Sequence, residues 1–240
     1  MKYKLFLFDL DDTLLDFKAS EKLSFVRTMQ YLGLRGDMDE IFHRYQAINV
    51  DLWKKFEMGT VSKDFLKVER FRSTFLTSGI ELDPEAASAV YLESLSETVV
   101  LIDGAISLCE TLSAVGEVGI ITNGVEYIQT RRIASSGLLP YISFVATSEA
   151  CGFAKPDVRF FEYAAKMAGP VAKSESIIIG DRLDADILGA NRYGIDCCWF
   201  NPGRLVNASE AVPDYDVASL HEIVPSLTAI AATGQDAVRI

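Results

Sequence analysis

The chain has 240 residues, 49% apolar and 24% charged, a composition that excludes global disorder and suits one large domain with a smaller one inserted. Its net charge of −11 excludes a nucleic-acid polymer or an anionic membrane as partner, since both repel an acidic surface. Four cysteines without CxxC spacing and only two histidines, His43 and His221, exclude a disulfide framework and a zinc centre.

In chain order, 3–10 is a short apolar run ending in acidic residues, which predicts a strand buried on both faces. Two lysines precede it as in a signal peptide, but Asp9, Asp11 and Asp12 interrupt the apolar stretch, and no run reaches membrane-spanning length. A cytoplasmic protein is expected. From 17 to 98 the pattern is helical. Ile41, Tyr45, Ile48 and Leu52 form one stripe, Phe65, Val68, Phe71 and Phe75 a second, and Asp83-Pro84-Glu85 reads as an N-cap followed by proline at the first helical position. A helix is expected to begin near Asp103.

Beyond it, 118–122 (VGIIT), 176–180 (SIIIG) and 196–200 (DCCWF) are β-rich, with 144–147 a weaker candidate strand. Helical stretches at 125–136, 157–168 and 184–193 alternate with them, and a terminal helix with a frayed end is expected after Ser219. Alternation of strand and helix predicts an α/β fold, a Rossmann-like parallel five-stranded sheet covered on both faces. The expected domains are an α/β core, 1–16 and 99–240, and an inserted helical cap, 17–98.

Four polar clusters fall where the buried strands end: Asp9 to Thr13 (DLDDT), Thr122-Asn123-Gly124, Lys155-Pro156, and Gly180-Asp181 through Asp186. In an open α/β sheet the carboxyl ends of the strands form the ligand crevice, so these distant residues converge. Asp9 and Asp11, two apart at a strand end, invite a hard divalent cation, and Mg²⁺ with Asp181 as a further ligand is expected. With that charge in place, Asp9 is positioned to attack phosphorus, forming an aspartyl phosphate, while Asp11 serves as acid and then base. Thr122, Asn123 and Lys155 would receive the non-bridging phosphate oxygens. An acidic cluster after a buried run is costly unless compensated, whereas Asp12 and Asp184 read as caps or turns and Arg182 as a surface ion pair. Trp53, Phe56 and Phe17 read as core rather than as a stacking surface for a base.

These four clusters, in this order, resemble the haloacid dehalogenase superfamily, over about 1–16 and 99–205, and the helical block after the first cluster is similar to the family's first cap class. The resemblance implies the strand order fifth, fourth, first, second, third. It implies Asp9 as nucleophile and metal ligand, Asp11 as acid/base that also offers its backbone carbonyl to the metal, Asp181 as metal ligand, and Asp186 as support behind the ligands. It further implies Mg²⁺-dependent hydrolysis of a small phosphorylated metabolite by a monomer or small homo-oligomer. The cap length, and the DLDDTLLDF run continuing into a helix, look like the branch that hydrolyses nucleoside 5′-monophosphates. Phosphoglycolate and sugar phosphates are the competing substrates. A phosphomutase, a 2-haloacid dehalogenase and a non-catalytic binding protein are the competing functions, although Asp11 speaks against a dehalogenase.

Overall fold

The computed structural model describes residues 1–233, and side chains through Thr228; the expected frayed end, 234–240, lies outside the described residues. The described chain forms two compact units: Met1–Asp16, Leu101–Glu126 and 133–233 make an α/β unit, and Phe17–Val100 with Tyr127–Arg132 make a helical one.

The α/β unit is built on β1 (Leu5–Phe8), β2 (Glu117–Thr122), β3 (Phe144–Thr147), β4 (Ser176–Gly180), β5 (Asp196–Phe200) and β6 (Tyr215–Val217). They form one sheet in the order β3-β2-β1-β4-β5-β6, and every pairing is parallel. The five strands expected from the sequence are present in the implied order, and β6 adds a sixth. It escaped notice because it is only three residues long, with the exposed Asp216 at its centre. Both β1 and β4 are buried at every position, which is why their sequences run apolar without alternation. Phe8 is in register with Ile120 of β2 and Ile179 of β4. Residues just beyond these positions therefore share one edge of the sheet.

In the helical unit, α1 (Phe17–Tyr31), α2 (Asp39–Glu57), α3 (Lys63–Ser78) and α4 (Pro84–Glu97) pack around an aromatic cluster. The ring of Tyr45 lies 4.8 Å from Phe25, 5.2 Å from Phe71 and 5.8 Å from Tyr91. Buried aromatic side chains contribute roughly 2 to 3 kcal/mol each, so this cluster dominates the unit's apolar core. Ser62 accepts the Phe65 N–H at 3.1 Å and Asp83 accepts that of Glu85 at 2.9 Å, capping α3 and α4, with Pro84 opening α4 as expected.

The two expected stripes are rotated. Phe65 is 46% exposed, while Leu66, Arg70, Phe71 and Thr74 face inward. On α2, Phe42, Tyr45, Asn49 and Leu52 are buried, and Ile41 and Ile48 only half-buried. The inward faces include polar residues that an apolar count passes over. Asn49 donates to Glu21 at 2.8 Å and accepts from Arg70 at 3.3 Å, and the Arg70 guanidinium lies 4.6 Å from the Tyr91 ring centre. Trp53, Phe56 and Phe17 are half-buried rather than core.

The remaining helices are α5 (Ala105–Ser113), α6 (Glu126–Ser136), α7 (Ser148–Cys151), α8 (Val158–Met167), α9 (Leu188–Tyr193) and α10 (Ile223–Thr233). Gly104 takes φ 85° at the start of α5, a left-handed conformation that favours glycine. The single helix expected over 184–193 is instead a π-turn, Leu183–Ile187, followed by α9. All four cysteines are unpaired thiols. Among the described residues, no helix is long and apolar enough to cross a membrane.

Candidate active site

Asp9 follows β1 directly, and its N–H donates to the Ile179 carbonyl at 2.9 Å, continuing the β1–β4 ladder one step past the strand. Its carboxylate is thereby held at the sheet edge, 7% exposed. Lys155, 2% exposed, reaches the same point from the loop after α7. Its ammonium donates to Asp9 Oδ1 at 2.5 Å, Asp186 Oδ1 at 2.7 Å and the Ile121 carbonyl at 2.9 Å, so all three of its protons have acceptors.

Carboxylate oxygens of Asp9, Asp181 and Asp186 lie within 4.8 Å of one another. Three carboxylates against one ammonium leave the cluster short of positive charge. Burial pushes the Asp9 carboxyl up to about 7, with Asp186 and Asp11 adding to the rise and Lys155 opposing it. Burial also pushes Asp181 up to about 8, helped by the charges of Asp9, Asp186 and Asp12. For Lys155, burial acts downward, but Asp186 and Asp9 outweigh it and hold the ammonium above the usual lysine range. An all-oxygen donor set that cannot keep its charges ionised unaided fits a hard divalent cation.

Asp186 is completely buried and belongs to this group, although the sequence assigned it only a supporting place. The π-turn carries it there. Its Oδ2 accepts the Arg182 N–H at 3.1 Å, which folds the carboxylate back over the start of the turn. Gly180 makes the room, since a Cβ at that position would lie 2.4 Å from Asp186 Oδ2. The Asp11 side chain is not part of the three-carboxylate cluster; it is half-exposed two residues beyond Asp9, at a bridge to Leu15.

Thr122 and Asn123 end β2 on the same edge. Thr122 Oγ1 accepts the Gly124 N–H at 3.0 Å, shaping the turn into α6. The side chain of Asn123, expected at the phosphate, meets the main chain of Lys155. Its amide donates to the Lys155 carbonyl at 3.1 Å and accepts the Lys155 N–H at 2.9 Å, clamping that residue's main chain. Ser148 Oγ in turn donates to the Asn123 carbonyl at 3.2 Å.

Two further residues were given no role from the sequence, although Thr13 closes the first polar cluster. Thr13 is buried, with its hydroxyl 3.4 Å from Asp9 Oδ2 and 3.5 Å from Asp181 Oδ1, and it accepts the Asp181 N–H at 3.1 Å. A hydroxyl four residues after Asp9 was the available signal. Trp199 donates its indole N–H to the Asp181 carbonyl at 2.8 Å, and nothing in a β-rich run announces that contact. Arg182 pairs with Asp184 at 2.8 Å, the surface ion pair expected of it.

Residues 3–194 match the family model for haloacid dehalogenase-like hydrolases. The chain is 36% identical over 225 residues to the HAD-hydrolase YfnB of Bacillus subtilis, covering 92% of this chain and 94% of that one. A crystal structure of YfnB bound to magnesium superposes with a TM-score of 0.88 at 33% identity, covering 95% of this chain and 100% of that one. The chain is also 36% identical to the pyrimidine 5′-nucleotidase PynA of Streptococcus pneumoniae, over 95% of this chain and 96% of that one. To the pyrimidine 5′-nucleotidase YjjG of Escherichia coli it is 30% identical, over 93% and 97%. A family model spanning the whole first cluster through α9, and relatives matched nearly end to end, make one conclusion plain: the chain belongs to the haloacid dehalogenase-like hydrolases.

Proposed function

We propose that the protein hydrolyses a nucleoside 5′-monophosphate, with Asp9 as nucleophile and Mg²⁺ as cofactor. The observation that carries the reading is the grouping of Asp9, Asp181 and Asp186 at the carboxyl edge of the sheet, with the buried Lys155 ammonium paired to Asp9 and Asp186. The similarity to PynA and YjjG, both pyrimidine 5′-nucleotidases, supports the choice of leaving group.

In this reading Lys155 holds Asp9 Oδ1 by a charge-assisted hydrogen bond, favouring the ionised carboxylate against the burial that opposes it and fixing which oxygen faces phosphorus. Asp9, Asp181 and Asp186, with the Asp11 carbonyl, would hold Mg²⁺, which would supply the positive charge that lets a phosphate dianion approach a carboxylate. Asp9 attacks phosphorus and an ester oxygen leaves, taking a proton from Asp11. Asp11, now ionised, draws a proton from the water that cleaves the aspartyl phosphate. Thr122 and the main-chain N–H groups of the turn it shapes receive non-bridging phosphate oxygens, with Lys155 as countercharge. Choice of leaving group is assigned to the helical unit, which serves as the cap.

The test is phosphate release from a panel of nucleoside 5′-monophosphates, sugar phosphates and phosphoglycolate, with and without Mg²⁺, beside Asp9→Asn. Preferential hydrolysis of pyrimidine 5′-monophosphates, lost on chelation and in the variant, is expected. Preference for phosphoglycolate or a sugar phosphate would overturn the substrate, and activity surviving both treatments would overturn the mechanism.

A further inference from the structure

Asp181 occupies a difficult position. Its carboxylate must stay near two others of the same charge, yet it follows the last residue of β4 and is only half-buried. An aspartate side chain has only two torsions, so where its carboxylate can reach is set by where the main chain that bears it is held.

Both main-chain polar groups of Asp181 are held, the N–H by the segment that follows β1 and the carbonyl from β5. In the order β1-β4-β5, β4 lies between the two. From the β1 side, Thr13 Oγ1 accepts the Asp181 N–H at 3.1 Å. From β5, Trp199 donates to the Asp181 carbonyl at 2.8 Å. Trp199 is in register with Gly180, one residue before Asp181, and its ring is buried in the apolar cluster with Ile178, Ile187 and Ala211. The indole is therefore anchored by packing along its whole body, and its one polar atom points at one acceptor. Indole N–H is only a donor, and a buried donor needs a partner, so ring and carbonyl constrain each other.

We infer that Trp199 is a positioning residue for the metal site: its indole N–H fixes the main chain of Asp181 so that the carboxylate is presented beside those of Asp9 and Asp186. This rests on reading those three carboxylates as the Mg²⁺ site. Groups that orient a metal ligand without touching the metal commonly set affinity by 10- to 100-fold. The same indole then reports on the site it supports.

Trp199→Phe isolates the hydrogen bond, because it keeps a buried aromatic ring and removes only the donor and the extra ring. Calorimetric titration with Mg²⁺ should show roughly tenfold weaker binding in the variant. The Mg²⁺ concentration for half-maximal phosphate release should rise by the same factor, with kcat recovered at saturating Mg²⁺. Unchanged Mg²⁺ affinity would overturn the inference, as would a kcat loss that saturating Mg²⁺ does not recover while affinity is unchanged. Should Trp199→Phe fail to fold, Trp53→Phe decides the matter, since Trp199 is then the one tryptophan of the chain. Its emission should shift on Mg²⁺ titration at the affinity found by calorimetry, and constant emission during measured binding would overturn the inference. Absence of Mg²⁺ binding to the wild-type protein would instead sink the metal reading and this inference with it.

Discussion

Each unit buries charge, and the two balance it differently. In the helical unit, Glu21 and Arg70 are joined through one neutral amide, Asn49, and the guanidinium lies against aromatic rings. Opposite charges and shared hydrogen bonds run through that network. At the edge of the α/β sheet, three carboxylates face a single ammonium, and two of them are pushed up into the neutral range. One arrangement pairs an acid with a base as folded, whereas the other carries an electrostatic deficit that a cation would resolve. Buried charge marks function where it is unbalanced, more than where it is merely present.

The largest expected effect breaks the unbalanced side. Asp9→Asn should lower turnover by roughly 10⁴-fold or more, since the nucleophile is lost, measured as phosphate release under saturating substrate. Because ionised Asp9 is disfavoured where it sits, the same variant should melt higher than wild type at pH 8 without Mg²⁺. A lower melting temperature would contradict the deficit. Asn123→Ala should reduce kcat by roughly 10- to 100-fold by loosening the main chain of Lys155, with Mg²⁺ affinity little changed. An unchanged kcat would remove Asn123 from the site altogether.

On the balanced side, Asn49→Ala should cost about 2 kcal/mol of stability, read from denaturant unfolding, with kcat preserved at a temperature where the variant is folded. Loss of activity without loss of stability would show that this network serves the chemistry as well. The last comparison is a pH slope, read on stability alone. The folded values of about 7 for Asp9 and about 8 for Asp181 lie above the unfolded value of 3.8, so the folded state binds more protons between them. Stability of the cation-free protein should therefore fall as pH rises from about 4 to 8, by up to about 1.4 kcal/mol per pH unit for each proton of difference. Saturating Mg²⁺ should flatten the slope, a comparison that thermal melts across pH can make.

Much of this was legible before any coordinates. Three apolar runs, ending in Asp9, Thr122-Asn123-Gly124 and Gly180-Asp181, state both the strand and the chemistry at its tip, because strands buried on both faces run apolar without a break and make a polar residue at the end conspicuous. Legibility failed where a residue's role is set by a distant partner. Asn123 has a side chain suited to a phosphate oxygen, but its neighbour in space is the main chain of Lys155, 32 positions away. Asn49 and Arg70 read as the polar side of a helix until the rings of Tyr45, Phe71 and Tyr91 close around them.

The sequence by itself determined the parallel α/β architecture, the helical insertion and the identity of the charged residues at the strand ends, since these depend on local periodicity and on where apolar runs stop. Only the tertiary structure decided that Asp186 joins Asp9 and Asp181, that Asn123 clamps Lys155, and that Trp199 and Thr13 hold Asp181 from either side. The physical reason is that hydrogen bonds are short and directional: a two-residue spacing can place carboxylates on one edge, but which atom meets which is fixed by strand register, a π-turn and the space left by a glycine.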